Sequence, residues 1–134
     1  MNGNGWHIGV LGGSGLYEGI ELEDQQQIEV SSPFGDPSGP VTTGTVGNVR
    51  LTFMARHGAG HAKSPDTVNY RANIDVMKRC GVTDLVAISA IGSLREEMAP
   101  THFVAVDQFI DRTSGRAHSF FGEGLVAHVS LADP

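Results

Sequence analysis

Val68-Asn69-Tyr70-Arg71-Ala72-Asn73-Ile74-Asp75-Val76-Met77-Lys78-Arg79-Cys80-Gly81, followed shortly by Leu85-Val86-Ala87-Ile88, is the stretch on which the fold class turns. Tyr70, Ile74 and Met77 recur at helical spacing and share one face, and Gly81 is a suitable C-terminal stop, so the spacing predicts a helix from Val68 to Cys80. The uninterrupted run Leu85–Ile88 then reads as a buried strand. Upstream, Ile8-Gly9-Val10-Leu11 is a second short apolar run, ending in the turn Gly12-Gly13-Ser14-Gly15. Gln27-Ile28-Glu29-Val30 alternates polar and apolar side chains, and Val41 to Val46 with Val49 to Ala55 reads as a β-hairpin across Gly47-Asn48. Ser32 to Pro40 is dense in turn formers and reads as a loop. Downstream, Phe103-Val104-Ala105-Val106 supplies a further candidate strand. Hairpin strands beside a strand-helix-strand unit imply an α/β protein with a mixed central β-sheet flanked by helices.

Composition narrows the function. The 134 residues are 40% hydrophobic, enough for one ordinary core, and show neither an internal repeat nor a linker between domains. A net charge of -6 argues against a protein built to neutralise a nucleic-acid backbone, while leaving room for a local anion site. Cys80 is the only cysteine, which excludes an internal disulfide framework and a thiolate zinc cluster within one chain. With no signal-like start and no apolar stretch long enough to span a bilayer, the expectation is a soluble, cytoplasmic protein without a membrane partner.

Three strand exits carry groups suited to an anion. Gly12-Gly13-Ser14-Gly15 can offer backbone N–H groups and the Ser14 hydroxyl, although it lacks the spacing of a dinucleotide turn or a P-loop, and a plain strand exit explains it as well. Arg56-His57-Gly58-Ala59-Gly60-His61 follows the strand Val49–Ala55, at the kind of strand end where α/β proteins bind ligands. Arg56 can give phosphate two parallel hydrogen bonds and His57 another. A solvated surface arginine is the plain alternative for Arg56 alone. Metal binding by His57 and His61 ranks below anion binding, because the intervening glycines disfavour a helix and no adjacent carboxylate completes a ligand set. Ser89-Ala90-Ile91-Gly92-Ser93 follows the run Leu85–Ile88 and again supplies hydroxyls and N–H groups, or else Ser89 serves only its local backbone. Neither serine lies in a Gly-x-Ser-x-Gly elbow, which leaves acyl-enzyme chemistry without support.

Taken in order, Gly12–Leu16, Ser32–Gly35, Ala55–Gly58, Val68–Ile74 and Ser89–Glu96, extended by Asp107–Thr113 and Ser119–Phe121, resemble the methylthioadenosine phosphorylase group of nucleoside phosphorylases. The likeness runs from Ile8 to Pro134. It implies a nucleoside phosphorylase-like fold and cleavage of a purine nucleoside by inorganic phosphate as co-substrate, with no metal or organic cofactor. Carried over position by position, Ser14, Arg56, His57, Ser89 and Ala90 would hold phosphate, Ala90 through its backbone. His128 matches a residue that reaches toward the neighbouring subunit's alkylthio pocket in similar trimeric enzymes, so a homotrimer is implied for the complete protein. The catalytic groups that recognise the base belong to later motifs; Asp107 and Asp111 lie in an earlier one. On this reading, residues 1–134 are the N-terminal part of a single phosphorylase domain whose C-terminal part is absent, inactive alone. Another purine nucleoside or methylthioinosine phosphorylase, and a non-catalytic phosphate-binding or interaction fragment, are the alternatives.

Overall fold

The computed structural model describes residues 5–13, 15, 16, 19–117 and 119–130. Five strands and one α-helix follow in the order β1 (His7–Gly12), β2 (Glu23–Ile28), β3 (Val41–Val46), β4 (Val49–Ala55), α1 (Tyr70–Arg79) and β5 (Asp84–Ala87). The chain divides into two compact units, Met1–Ser89 and Ala90–Pro134.

In the first unit, all five strands form one sheet in the order β2-β3-β4-β1-β5. The hairpin β3–β4 is antiparallel and closes at Val46 opposite Val49, where Gly47 supplies the positive φ of 58° that the two-residue turn requires. β1 pairs in parallel with β4 on one side and with β5 on the other. The sheet is therefore mixed, as expected from the sequence.

β2 occupies different residues from those the alternation at Gln27–Val30 suggests. Its ladder against β3 ends at Ile28 opposite Val41. Val41 is preceded by Pro40, which has no N–H with which to extend the ladder, so Glu29 and Val30 leave the sheet. All six residues of β2 are exposed, and alternation has no buried face to enforce there.

α1 begins at Asn69, whose side-chain oxygen accepts the Ala72 N–H at 3.1 Å, a helix cap. It ends as Gly81 turns to φ 83° and gives its N–H to the Lys78 carbonyl at 3.0 Å. Val76 and Met77 pack on the sheet face formed by Leu11, Val41 and Met54, which is the core. Leu11 and Met54 lie opposite each other in the β1–β4 register, so the helix bridges neighbouring strands. Each of these side chains contributes about 1.5–3 kcal/mol on leaving water.

A polar chain is threaded through the same sheet. His7 Nε2 lies 2.7 Å from Thr52 Oγ1, Thr52 donates to Thr43 Oγ1 at 3.1 Å, and Thr43 donates to the Leu51 carbonyl at 3.0 Å. Because the Thr52 proton is directed to Thr43, His7 must donate from Nε2, which fixes the neutral tautomer. Burial, and next the positive charge of Arg50, push the His7 pKa below its ordinary value; a hydrogen bond with the Gly81 backbone works the other way.

The second unit has little regular structure among its described residues. Phe103–Val106, expected as a strand, pairs with nothing as a strand among the described residues, where an isolated bridge joins Gly122 to Leu125. An apolar run becomes a strand only where a neighbour accepts its backbone hydrogen bonds, and no such neighbour is present in this unit among the described residues. Leu94, Phe103 and Ile110 are almost fully exposed. No helix among the described residues is long and apolar enough to cross a membrane.

Two outcomes follow from the packing and the buried histidine. Met77→Ala, at a side chain only 2% exposed, lowers the unfolding free energy by about 2–5 kcal/mol, read from the urea midpoint at unchanged slope; a loss under about 1 kcal/mol would show that α1 is not seated on the sheet. The stability owed to neutral His7 is complete above the ordinary histidine value of 6.5 and is lost as pH falls from there through the lower folded value. The thermal midpoint should accordingly drop more steeply between neutral and mildly acid pH in the parent than in His7→Gln, and equal slopes would refute the assignment.

Candidate functional site

Parallel pairing places three strand exits at one edge of the sheet. Gly12 is level with Ala55 in the β1–β4 register, and Leu11 is level with Ala87 in the β1–β5 register. The next residues continue this alignment: the Arg56 N–H donates to the Gly12 carbonyl at 2.9 Å, and the Ile88 N–H to the Leu11 carbonyl at 2.8 Å. Gly13, Arg56 and Ser89 thus leave the carboxyl ends of adjacent parallel strands, the edge at which α/β sheets hold ligands.

Arg56 ties these exits together. Its Nη1 donates to Ser89 Oγ at 2.8 Å and to the Ile88 carbonyl at 3.3 Å, and its Nε donates to His57 Nε2 at 3.3 Å. Both N–H groups of Nη2 remain without a hydrogen-bond partner among the described residues, so a half-buried guanidinium presents two donors and a full positive charge. That arrangement suits an oxyanion.

His57 is buried, and both of its ring nitrogens are engaged within the chain. Nδ1 faces the Lys63 carbonyl at 2.9 Å and must donate to it, which leaves Nε2 as the acceptor of the Arg56 Nε–H. Neutral His57 therefore orients Arg56. A bond from His57 Nε2 to an anion needs the imidazolium and release of the Arg56 Nε contact. His61 stacks on His57 with ring centroids 4.5 Å apart and 21° between planes. Among the described residues no group of three or more His, Cys, Asp or Glu side chains is placed to share a metal ion.

Of the residues singled out in the sequence, Arg56, His57 and Ser89 come together in the first unit. Ser14 lies outside the described residues. Ala90 and His128 belong to the second unit, where both are exposed. Sequence reasoning missed two buried polar residues, Ser38, which bonds to the Arg56 backbone, and Asn73, which bonds to Ser38. The available signal was an asparagine at the position four residues after Asn69, on a helix whose neighbouring positions are apolar. A separate cleft of about 570 Å³, lined by Trp6, His7, Asn48, Arg50, Thr83 and Asp84, lies at the amino ends of β1, β4 and β5, away from Arg56.

The chain is similar to named proteins and to solved structures. S-methyl-5'-thioadenosine phosphorylase of Cereibacter sphaeroides is 62% identical over 127 residues, a match that covers 95% of this chain and 44% of the relative. The protein of the same name from Geobacter sulfurreducens is 56% identical over 128 residues, covering 95% and 45%. Among solved structures, a methylthioadenosine phosphorylase sourced from an antarctic soil metagenomic library superposes with a TM-score of 0.89 at 44% identity, covering 97% of this chain and 45% of its own. The Schistosoma mansoni methylthioadenosine phosphorylase in complex with adenine gives 0.85 at 38% identity, covering 96% and 48%. The chain thus spans less than half the length of these relatives. The sequence pattern of the phosphorylase superfamily matches residues 7–134, and the chain belongs to that superfamily.

Proposed function

We propose that Arg56 and Ser89, joined by Ser14 and the Ala90 backbone N–H, hold inorganic phosphate as the co-substrate of a pentosyl transfer, and that His57 adds a donor when its imidazolium forms and Nε2 turns from Arg56 to the anion. The complete protein cleaves S-methyl-5'-thioadenosine into adenine and S-methyl-5-thioribose 1-phosphate, without a metal or organic cofactor. The observation that carries this reading is the Arg56 guanidinium, which joins two strand ends through Nη1 and, among the described residues, has no partner at Nη2. Phosphorolysis requires phosphate to be held close to a sugar that becomes cation-like as its bond to the base breaks. Arg56 orients that phosphate while leaving an oxygen nucleophilic. The names of the relatives support the methylthioadenosine substrate.

The family likeness supports a homotrimer for the complete protein, with His128 turned to the neighbouring subunit's substrate pocket, and a cytoplasmic setting. Base-recognising carboxylates belong to motifs beyond those in this sequence, and the chain spans only 44% of its Cereibacter relative. The chain by itself accordingly binds phosphate without turning over nucleoside.

Phosphate-dependent release of adenine from S-methyl-5'-thioadenosine is expected from the full reading frame and not from the 134-residue chain. Inactivity of a well-folded full-length protein would count against the reaction, and preference for inosine or guanosine would remove the methylthio assignment. In the chain itself, Arg56→Lys keeps the charge but loses the forked donor set, so calorimetry should show inorganic phosphate binding weakened about tenfold or more. Unchanged affinity would take Arg56 out of the site.

A further inference from the structure

Behind Arg56 lies a directed chain of hydrogen bonds that reaches it from the helix. Asn73, in α1, is 1% exposed and Ser38, in the loop before β3, is 7% exposed. Asn73 Oδ1 accepts the Ser38 N–H at 2.8 Å, and Asn73 Nδ2 donates to Ser38 Oγ at 2.9 Å. Ser38 Oγ in turn donates to the Arg56 carbonyl at 2.6 Å. A serine hydroxyl has one proton to give, and with Asn73 donating to its oxygen that proton goes to Arg56.

The contact is also steric. Gly58 has φ 74°, and a Cβ there would lie 2.9 Å from the Ser38 carbonyl oxygen, so the turn 56–58 rests directly on Ser38. Asn69 adds a second tie by donating from Nδ2 to the Phe34 carbonyl at 2.8 Å, which fixes the same loop further upstream. Arg56 is thereby held at both ends of its backbone, its N–H by Gly12 and its carbonyl by Ser38.

We propose that Ser38 and Asn73 are positioning residues for the anion site: Asn73 aims the Ser38 hydroxyl, and that hydroxyl sets the Arg56 backbone so that its guanidinium meets Ser89. Neither residue touches the anion. The inference deepens the phosphate reading above and rests on it for its functional consequence, but its structural content can be measured separately. Buried polar groups this fully paired set one conformation, because every alternative leaves a donor or acceptor unsatisfied.

The test compares Ser38→Ala, which removes only the hydroxyl, with the parent chain and with Thr43→Val, which removes a buried hydroxyl remote from Arg56. Two quantities are read: the dissociation constant for inorganic phosphate, and the solvent-exchange rate of the Arg56 Nε–H by nuclear magnetic resonance. Ser38→Ala should weaken phosphate binding about tenfold and speed Nε–H exchange, while Thr43→Val alters only thermal stability. Asn73→Asp, which keeps the acceptor for the Ser38 N–H and disturbs the donor to its hydroxyl, should shift both quantities in the same direction, and it serves if Ser38→Ala does not fold. Parent-like affinity and exchange in a folded Ser38 or Asn73 variant would overturn the proposal, as would equal effects of Thr43→Val. If the parent itself does not bind phosphate, the phosphate reading falls, and the exchange rates alone still decide whether Ser38 positions Arg56.

Discussion

The parallel pairing of β1 with both β4 and β5 is the constraint on which the rest depends. It aligns Gly12, Ala55 and Ala87 at one edge, so that chain segments distant in sequence emerge side by side. Short parallel strands have no freedom to slip without also moving Leu11 and Met54 out of the layer under α1. Packing on one sheet face thus fixes the register, and the register fixes where Arg56 and Ser89 meet.

The polar interior works in the same direction. Two sets of buried hydrogen bonds run through the first unit, one from His7 through Thr52 to Thr43 and the other from Asn73 through Ser38 to Arg56. The first spans strands β1, β4 and β3 near the amino end of β1; the second reaches the carboxyl edge from the helix. Hydrophobic contacts between smooth aliphatic surfaces tolerate small displacements, whereas these bonds weaken steeply with misalignment. Apolar burial supplies most of the stability, and the polar chains select one alignment of strands and turns.

Much of this was legible in the sequence. The hairpin across Gly47-Asn48, the helix closing before Gly81 and the apolar runs of β1 and β5 all carry local signals, because turn residues and periodicity act over a few positions; β5 is nonetheless an exposed edge strand and not the buried one its apolar run suggests. Arg56, His57 and Ser89 could be nominated from their places after strands. Their mutual contact could not, since it depends on strand order, and strand order is a long-range property. β2 was misplaced because no buried face enforces its alternation, and Phe103–Val106 because an apolar run does not reveal whether a pairing strand is available. Ser38 escaped notice for a different reason: in a loop of prolines and glycines, a serine gives no local sign of being almost fully buried.

The central place of β1 also bears on the order in which the molecule can be built. Of the five strands it is the earliest in sequence, yet its partners are residues 49–55 and 84–87, so neither of its edges can be paired until the intervening chain is present. The β3–β4 hairpin closes through a two-residue turn and is the natural first template. Pairing β1 with β4 and with β5 closes much longer loops. Until both partners are in place, Val10 and Leu11, buried in the finished sheet, lack their apolar cover, and an apolar strand with open edges is prone to premature association.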